Sequence, residues 1–222
     1  MKNETLLLLR LSLVIALLAQ HSIVTASCSH NISVHYNERA PYLVTTPNGV
    51  EGLTADPINL AFKEAGISFR WNKWPSSRQL GVLKKGKGCD CLAGWFKNPE
   101  REKFAKYTRP IYQDSPQVAL ARSDNIILKN GVNIDEILSN KNLHLLVKKG
   151  YSYGEFIDQK ISQNSLFVSE VMHENLKMLD LIYHKRYDYF FIAPEEADRL
   201  IEVSGLPQQE FKQISFLDMP AG

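Results

Sequence analysis

Apolar positions along the chain switch repeatedly between the period of a strand and that of a helix. Residues 32–36 read as a strand, and Pro47-Asn48-Gly49 as a turn. Asp56 followed by Pro57 offers an N-cap and first helical position for a helix over 58–65, with Gly66 as its stop. Residues 69–74 are strand-like; Ser76 or Ser77 caps a short helix through Leu83, ended by Gly86 and Gly88. Residues 89–94 read as a buried strand, and Pro99-Glu100-Arg101-Glu102 opens a helix with acids suited to its first turn. Residues 118–121 form a strand leaving this half.

The second half uses different elements in the same style. The pattern predicts a short helix at 134–138, a strand at 143–147, a helix from near Tyr153 and a short strand at 167–168. Leu176, Leu179, Ile182 and Tyr183 make a helical stripe of core character. Residues 189–192 read as a fully buried strand, after which Pro194-Glu195-Glu196 starts another helix. Such alternation implies α/β lobes on mainly parallel sheets. Open sheets of this kind bind ligands at the carboxyl ends of their strands, where helix N-termini point.

Composition narrows the class without naming a function. The 222 residues carry 26 Lys+Arg against 24 Asp+Glu, a formal charge of +2 with no dense basic block, so nucleic acid is not an expected partner. Charged residues at 23% argue against wholesale disorder, and the length suits one large domain or two lobes. No Cys/His cluster has zinc spacing, and no metal or cofactor is expected.

The N-terminus adds an address. Lys2 precedes an apolar stretch from Leu6, interrupted at Arg10 and resuming through Ala19, and Val24-Thr25-Ala26 offers small residues for cleavage before Ser27. The uninterrupted apolar run is shorter than the roughly 20 residues that span a bilayer. Residues 1–26 are therefore expected to be a cleavable signal peptide for export. In an oxidising compartment Cys28 can bridge to Cys89 or Cys91, which alternate on one predicted strand; the alternative is two small buried residues and a free thiol.

A family resemblance rests on four stretches in order. The most specific is Gly94-Trp95-Phe96-Lys97-Asn98-Pro99-Glu100-Arg101-Glu102-Lys103, running on to Pro110-Ile111-Tyr112. Glu38-Arg39-Ala40-Pro41-Tyr42, Gly52-Leu53 through Gly66, and Arg186-Tyr187-Asp188-Tyr189 agree with it. Together they resemble the bacterial extracellular solute-binding proteins of family 3, the substrate receptors of polar amino-acid ABC transporters. The resemblance covers nearly all of residues 30–218. It implies a type II periplasmic-binding-protein fold, two α/β lobes joined by two crossover strands. Lobe 1 is expected over residues 27–120 and lobe 2 over 121–213. Residues 214–222 then form a second crossover beginning a return to lobe 1, whose remaining elements in relatives lie beyond Gly222.

In relatives that bind amino acids, an arginine at the position of Arg101 grips the ligand carboxylate, which a planar guanidinium suits. On a bare helix, Arg101 would instead pair with Glu100 or Glu102. Gly94 and Phe96 stand where relatives often carry Ser or Thr; Gly94 offers backbone groups, and Phe96 with Trp95 a stacking surface. Trp95 serves equally well as core. Arg39, Arg78 and Tyr42 fall near the cleft, and Ser152 and Tyr153 match the loop-to-helix turn that meets the ligand. The Asp that holds the α-ammonium in relatives is replaced by Ala193-Pro194-Glu195-Glu196, with Glu195 as candidate substitute. If Arg39, Arg78 and Arg101 all faced the cleft, the pocket would be positive and favour an acidic ligand.

The implied function is periplasmic capture of a small carboxylate-bearing solute, an amino acid or related acid, by a monomer that delivers it to an ABC-transporter permease. Alternatives on the same fold are a ligand sensor or degenerate receptor, or a lyase or dehydratase using Glu195 or Glu196 as acid/base. No nucleophile–base pair is visible, so the expectation is a binding protein and not an enzyme.

Overall fold

The computed structural model describes residues 28, 32–164 and 167–220; the expected signal peptide lies outside them. Strand β1 (Ile32–Tyr36) is followed by a hairpin of β2 (Val44–Thr46) and β3 (Gly49–Glu51), then α1 (Ala55–Glu64), β4 (Phe69–Lys73), α2 (Ser76–Lys85) and β5 (Asp90–Leu92). A short helix α3 (Pro99–Glu102) and a long loop lead to β6 (Val118–Arg122). The second half runs α4 (Ile134–Leu138), β7 (Leu145–Lys148), α5 (Glu155–Asn164), β8 (Val168–Val171), α6 (Asn175–Tyr183), β9 (Tyr189–Ile192), α7 (Pro194–Ser204) and β10 (Phe211–Ile214).

These strands make two main sheets. The first is parallel, in the order β4-β1-β5, with Val34 level with Trp71 and Cys91. The second has five strands in the order β10-β6-β9-β7-β8. Its β6 runs antiparallel to both neighbours, so this sheet is mixed where a mainly parallel one is expected. Residues 118–122 and 211–214 pair along their length, Ala119 with Ile214 through Arg122 with Phe211.

The boundary expected after residue 120 falls within β6, all of which belongs to the second sheet. The return strand ends at Ile214 instead of starting there. Residues 215–218 stay with the second lobe: Phe216 bridges Val132, and the Asp218 carboxylate accepts from the Ile134 amide at 3.0 Å, serving the N-terminus of α4.

Hydrophobic burial follows strand alternation. In the second sheet Ala119, Ala121, Leu145, Val147, Tyr189 and Phe191 face one cluster. Val118, Leu120, Leu146, Phe190 and Ile192 face the other. Both faces are covered, which is why β9 reads as an unbroken apolar run. The first lobe has one cluster, Val34, Tyr36, Tyr42, Leu43, Val50, Ala55 and Ala93, which also takes in Ala193 of the second.

Local chemistry moved several element ends. Helix α1 begins before Pro57, with Thr54 in the cap position, and the Asp56 carboxylate accepts from the Gly52 amide at 3.1 Å. Gly52 itself has φ +123°, and a Cβ there would lie 2.3 Å from the Pro41 carbonyl oxygen, so the turn requires glycine. Extended Pro75 precedes α2, leaving Ser76 as its first helical residue, with a buried hydroxyl that has no hydrogen-bond partner. Gly86, in the left-handed region, closes it. Strand β5 lies at the sheet edge, so Cys91 is exposed where a buried strand is expected. On α6 the buried stripe is Met178, Leu179 and Ile182; Leu176, on the first turn, is 49% exposed.

Of the two disulfide pairings open to Cys28, the structure forms Cys28–Cys89, with Cα atoms 5.3 Å apart. It fastens the stretch preceding β1 to the start of β5, and Cys91 is a free thiol.

Candidate functional site

The lobes meet where strands of both sheets end. After β1 the chain turns through Arg39, after β7 through residues 149–154, and after β9 straight into α7. Each loop carries a polar side chain into the gap, as expected for the carboxyl ends of α/β strands. The cavity left between them, lined by Arg39, Phe96, Gln117, Tyr151, Ser152, Tyr153, Asn175, Phe191, Ile192, Ala193 and Glu196, measures only about 10 Å³, roughly one water.

Arg39 and Glu196 dominate this site. Arg39 Nε lies 3.2 Å from Glu196 Oε2, with side chains only 12% and 6% exposed. A terminal nitrogen of Arg39 donates to the Tyr151 hydroxyl, and its guanidinium lies 4.5 Å from the centre of the Tyr42 ring. Glu196 Oε1 accepts from Asn175 Nδ2 at 2.6 Å. Burial raises the Glu196 pKa even though Arg39, the Asn175 bond and Lys148 pull it down. Burial works against the charge of Arg39, but Glu196, then Tyr151 and Asp114, hold its pKa above the ordinary value. Burial also pushes the Tyr151 phenol up to about 12 and raises Tyr153, whose hydroxyl accepts from the Lys148 amide at 2.9 Å.

A second layer of carboxylates flanks the pair. Asp114, in the loop before β6, has its pKa raised by burial and lies beside Tyr42. Tyr42 Oη and Asp114 Oδ1 are buried, yet neither makes a well-directed hydrogen bond. Burial, and then Asp114, raises the Tyr42 pKa. Lys148 is buried on β7 and pairs with Glu174.

The other expected site residues fall in varied places. Arg101 is buried beside the cleft, its terminal nitrogens donating to the Phe96 carbonyl at 2.6 Å and the Gly150 carbonyl at 3.0 Å, thereby tying one lobe to the other. Its guanidinium also lies 4.7 Å from the Trp95 ring centre, and the Asn98 cap fixes the turn that carries it, accepting from the Arg101 amide at 2.9 Å. Arg101 does not make the on-helix pairs with Glu100 or Glu102; these acids hold Lys103 and Lys97. Trp95 donates to Gln79 at 3.1 Å.

Gly94 is exposed at φ +69°, a conformation that itself favours glycine. Phe96 lines the cavity, and Ser152 lines it while donating to Asp158 of its own helix. Arg78 is exposed and stacks on Trp74 at 4.1 Å. Glu195 points to Ser115, with its second oxygen buried and unpartnered. The three arginines therefore do not combine into a positive pocket. One is at the surface, one lies on carbonyls, and one faces Glu196 with Asp114 nearby.

Glu196, Asn175 and Tyr151 form the site with little advance notice. A signal for Glu196 exists: it stands four residues before buried Leu200 and shares the inward face of α7, while Glu195 is turned away. Tyr151 lies in a connecting stretch and Asn175 is the first residue of α6, and apolar periodicity marks neither.

Two α/β lobes closing on a polar cleft at their strand ends define a binding protein of the type II periplasmic architecture. The chain belongs to the bacterial extracellular solute-binding proteins, family 3, whose profile matches residues 32–200. Among solved structures it is similar to an ancestral arginine-binding protein bound to arginine, with TM-score 0.65 and 15% identity over 88% of this chain and 84% of that one. A structure from glutathione import in Streptococcus mutans gives TM-score 0.68 and 14% identity over 87% and 79% of the two chains. The arginine-bound truncated arginine-binding protein of T. maritima gives 0.62 and 15% over 83% and 82%. No curated protein sequence matches the chain significantly. No helix among the described residues is long and apolar enough to cross a membrane.

Proposed function

We propose that this protein is a periplasmic receptor that captures a small, carboxylate-bearing solute of amino-acid type between its lobes and presents it, as a monomer, to an ABC-transporter permease. The observation that carries this reading is the buried Arg39 at the lobe junction. A guanidinium taken out of water needs an anionic partner, and a solute carboxylate offers it two parallel acceptors. Arg39 is the positive pole, with Tyr42, Phe96 and Tyr153 as walls and Ser152 at the rim. Glu196 takes the place of Glu195 as the negative pole, available to an ammonium group. Arg101 holds the lobes in register beside the ligand, Gly94 shapes the turn that supports it, and Arg78 serves outside the cleft.

Family membership supports solute binding over catalysis. The test is a thermal-shift screen against amino acids, dicarboxylates and small peptides. A solute held at a hundred times its Kd stabilises the folded state by about 2.7 kcal/mol. One solute class is expected to raise the melting temperature, with the rise abolished by Arg39→Ala and reduced by Arg101→Ala. A rise untouched by Arg39→Ala would place the site elsewhere.

A further inference from the structure

We propose that Arg39 and Glu196 form a latch between the lobes: these groups pair with each other when the cleft closes without a solute, and a solute enters by taking Arg39 from Glu196. This regulation rests on reading the cleft as the solute site. Arg39 comes from the loop after β1 and Glu196 from the first turn of α7, so their 3.2 Å contact spans the lobe junction. Both ends have supporting partners, Tyr151 accepting from Arg39 and Asn175 donating to Glu196. Parting the lobes returns both charges to water, which avoids leaving one of them buried alone.

The pair is also built to be displaced. Arg39 Nε has no directed hydrogen bond despite its distance to Glu196, so charge alone holds that contact. A solute carboxylate able to accept two parallel N–H bonds has the advantage over it. Room for about one water remains between the groups, so an amino-acid-sized solute cannot bind beside the intact pair. A latch closed ten times more often than open would weaken apparent affinity about tenfold, setting a threshold concentration.

Protonation acts on the same pair. The groups facing Glu196 are Arg39 from the first lobe, Asp114 before β6, Lys148 on β7 with its partner Glu174, Tyr151 and Tyr153 after β7, and Asn175 on α6. Burial sets the Glu196 pKa above the ordinary carboxylate value, so its charge is lost earlier in an acid titration than that of a surface glutamate. The linkage has a definite sign. A carboxyl with a raised folded pKa stabilises the fold most below its unfolded pKa, and that contribution falls as pH rises toward the folded one. By the same linkage the closed cleft holds the Glu196 proton more tightly than open lobes do, so mild acid favours closure and the latch is read at neutral pH.

Small-angle X-ray scattering of the purified protein in solute-free buffer at neutral pH tests the latch. Wild type should show a compact radius of gyration, roughly 16–17 Å for a chain of this length. Glu196→Lys, which sets two cations against each other, and Arg39→Met should be expanded. A variant as compact as wild type, or a wild type already expanded without solute, overturns the proposal. Should the variants fail to melt cooperatively, the wild-type radius decides alone. A parallel thermal-shift assay with L-arginine, L-glutamine and glutathione, extended to the wider screen above, separates the two ideas. Thermal shifts with an unchanged radius sink the latch and leave the receptor. Expansion on release with no shift from any solute keeps the lobe contact and sinks its role in solute entry together with the receptor.

Discussion

The two lobes solve the same burial problem with unequal means. The second closes both faces of a five-stranded sheet, and the apolar side chains of β6, β7 and β9 alternate between two cores. The first has three short parallel strands, one core cluster, an exposed thiol on its edge strand and a disulfide. Stability is thus concentrated in one lobe, while the other supplies Arg39, Phe96 and Arg101 from loops and a four-residue helix. A rigid lobe facing a lightly built one suits a cleft that opens and shuts, because hinge motion costs least where few packed contacts must break.

The largest effect that would test this contrast is loss of a central aromatic. Phe190 is fully buried on β9, and Phe190→Ala should cost about 3–5 kcal/mol in chemical denaturation. If the lobes unfold separately, the loss appears in only one of two transitions.

Next comes the covalent tie in the first lobe. Replacing Cys28 and Cys89 together by serine frees a 61-residue separation and should cost ~2–4 kcal/mol, read in the first-lobe transition. An unchanged melt would show that the single core of that lobe suffices without it.

The smallest effect concerns the Asn98 cap. Asn98→Ala should cost about 1 kcal/mol and loosen the turn that aims Arg101 at the Gly150 carbonyl. Solute affinity should fall more than global stability, because the turn contributes little core but aligns a contact between lobes. Equal losses in both would make Asn98 a simple stability residue.

Much of this architecture is legible in the chain. The unbroken apolar run at 189–192, the Pro-Glu-Glu start of α7 and the turn at Pro47-Asn48-Gly49 are local signals, because strand burial, helix initiation and turn geometry act over a few residues. The order of motifs around Trp95 and Arg101 points to the family. Element ends are less legible. Asp56 looks like a cap by type, yet the backbone approach of Tyr42 and Gly52 starts α1 earlier. Leu176 fits a stripe by spacing but lies on a first turn that faces solvent.

The site divides the same way. Sequence by itself determined two α/β lobes, the receptor family, and which loops and short helix carry Arg39, Ser152 and Arg101. Tertiary structure alone decided that Cys28 joins Cys89, that Arg101 lies on backbone carbonyls, that Arg78 faces water, and that Glu196 meets Arg39. The reason is physical. Periodicity records how each residue relates to its own element, whereas a pair 157 positions apart depends on how two lobes dock, and no local interaction encodes that distance.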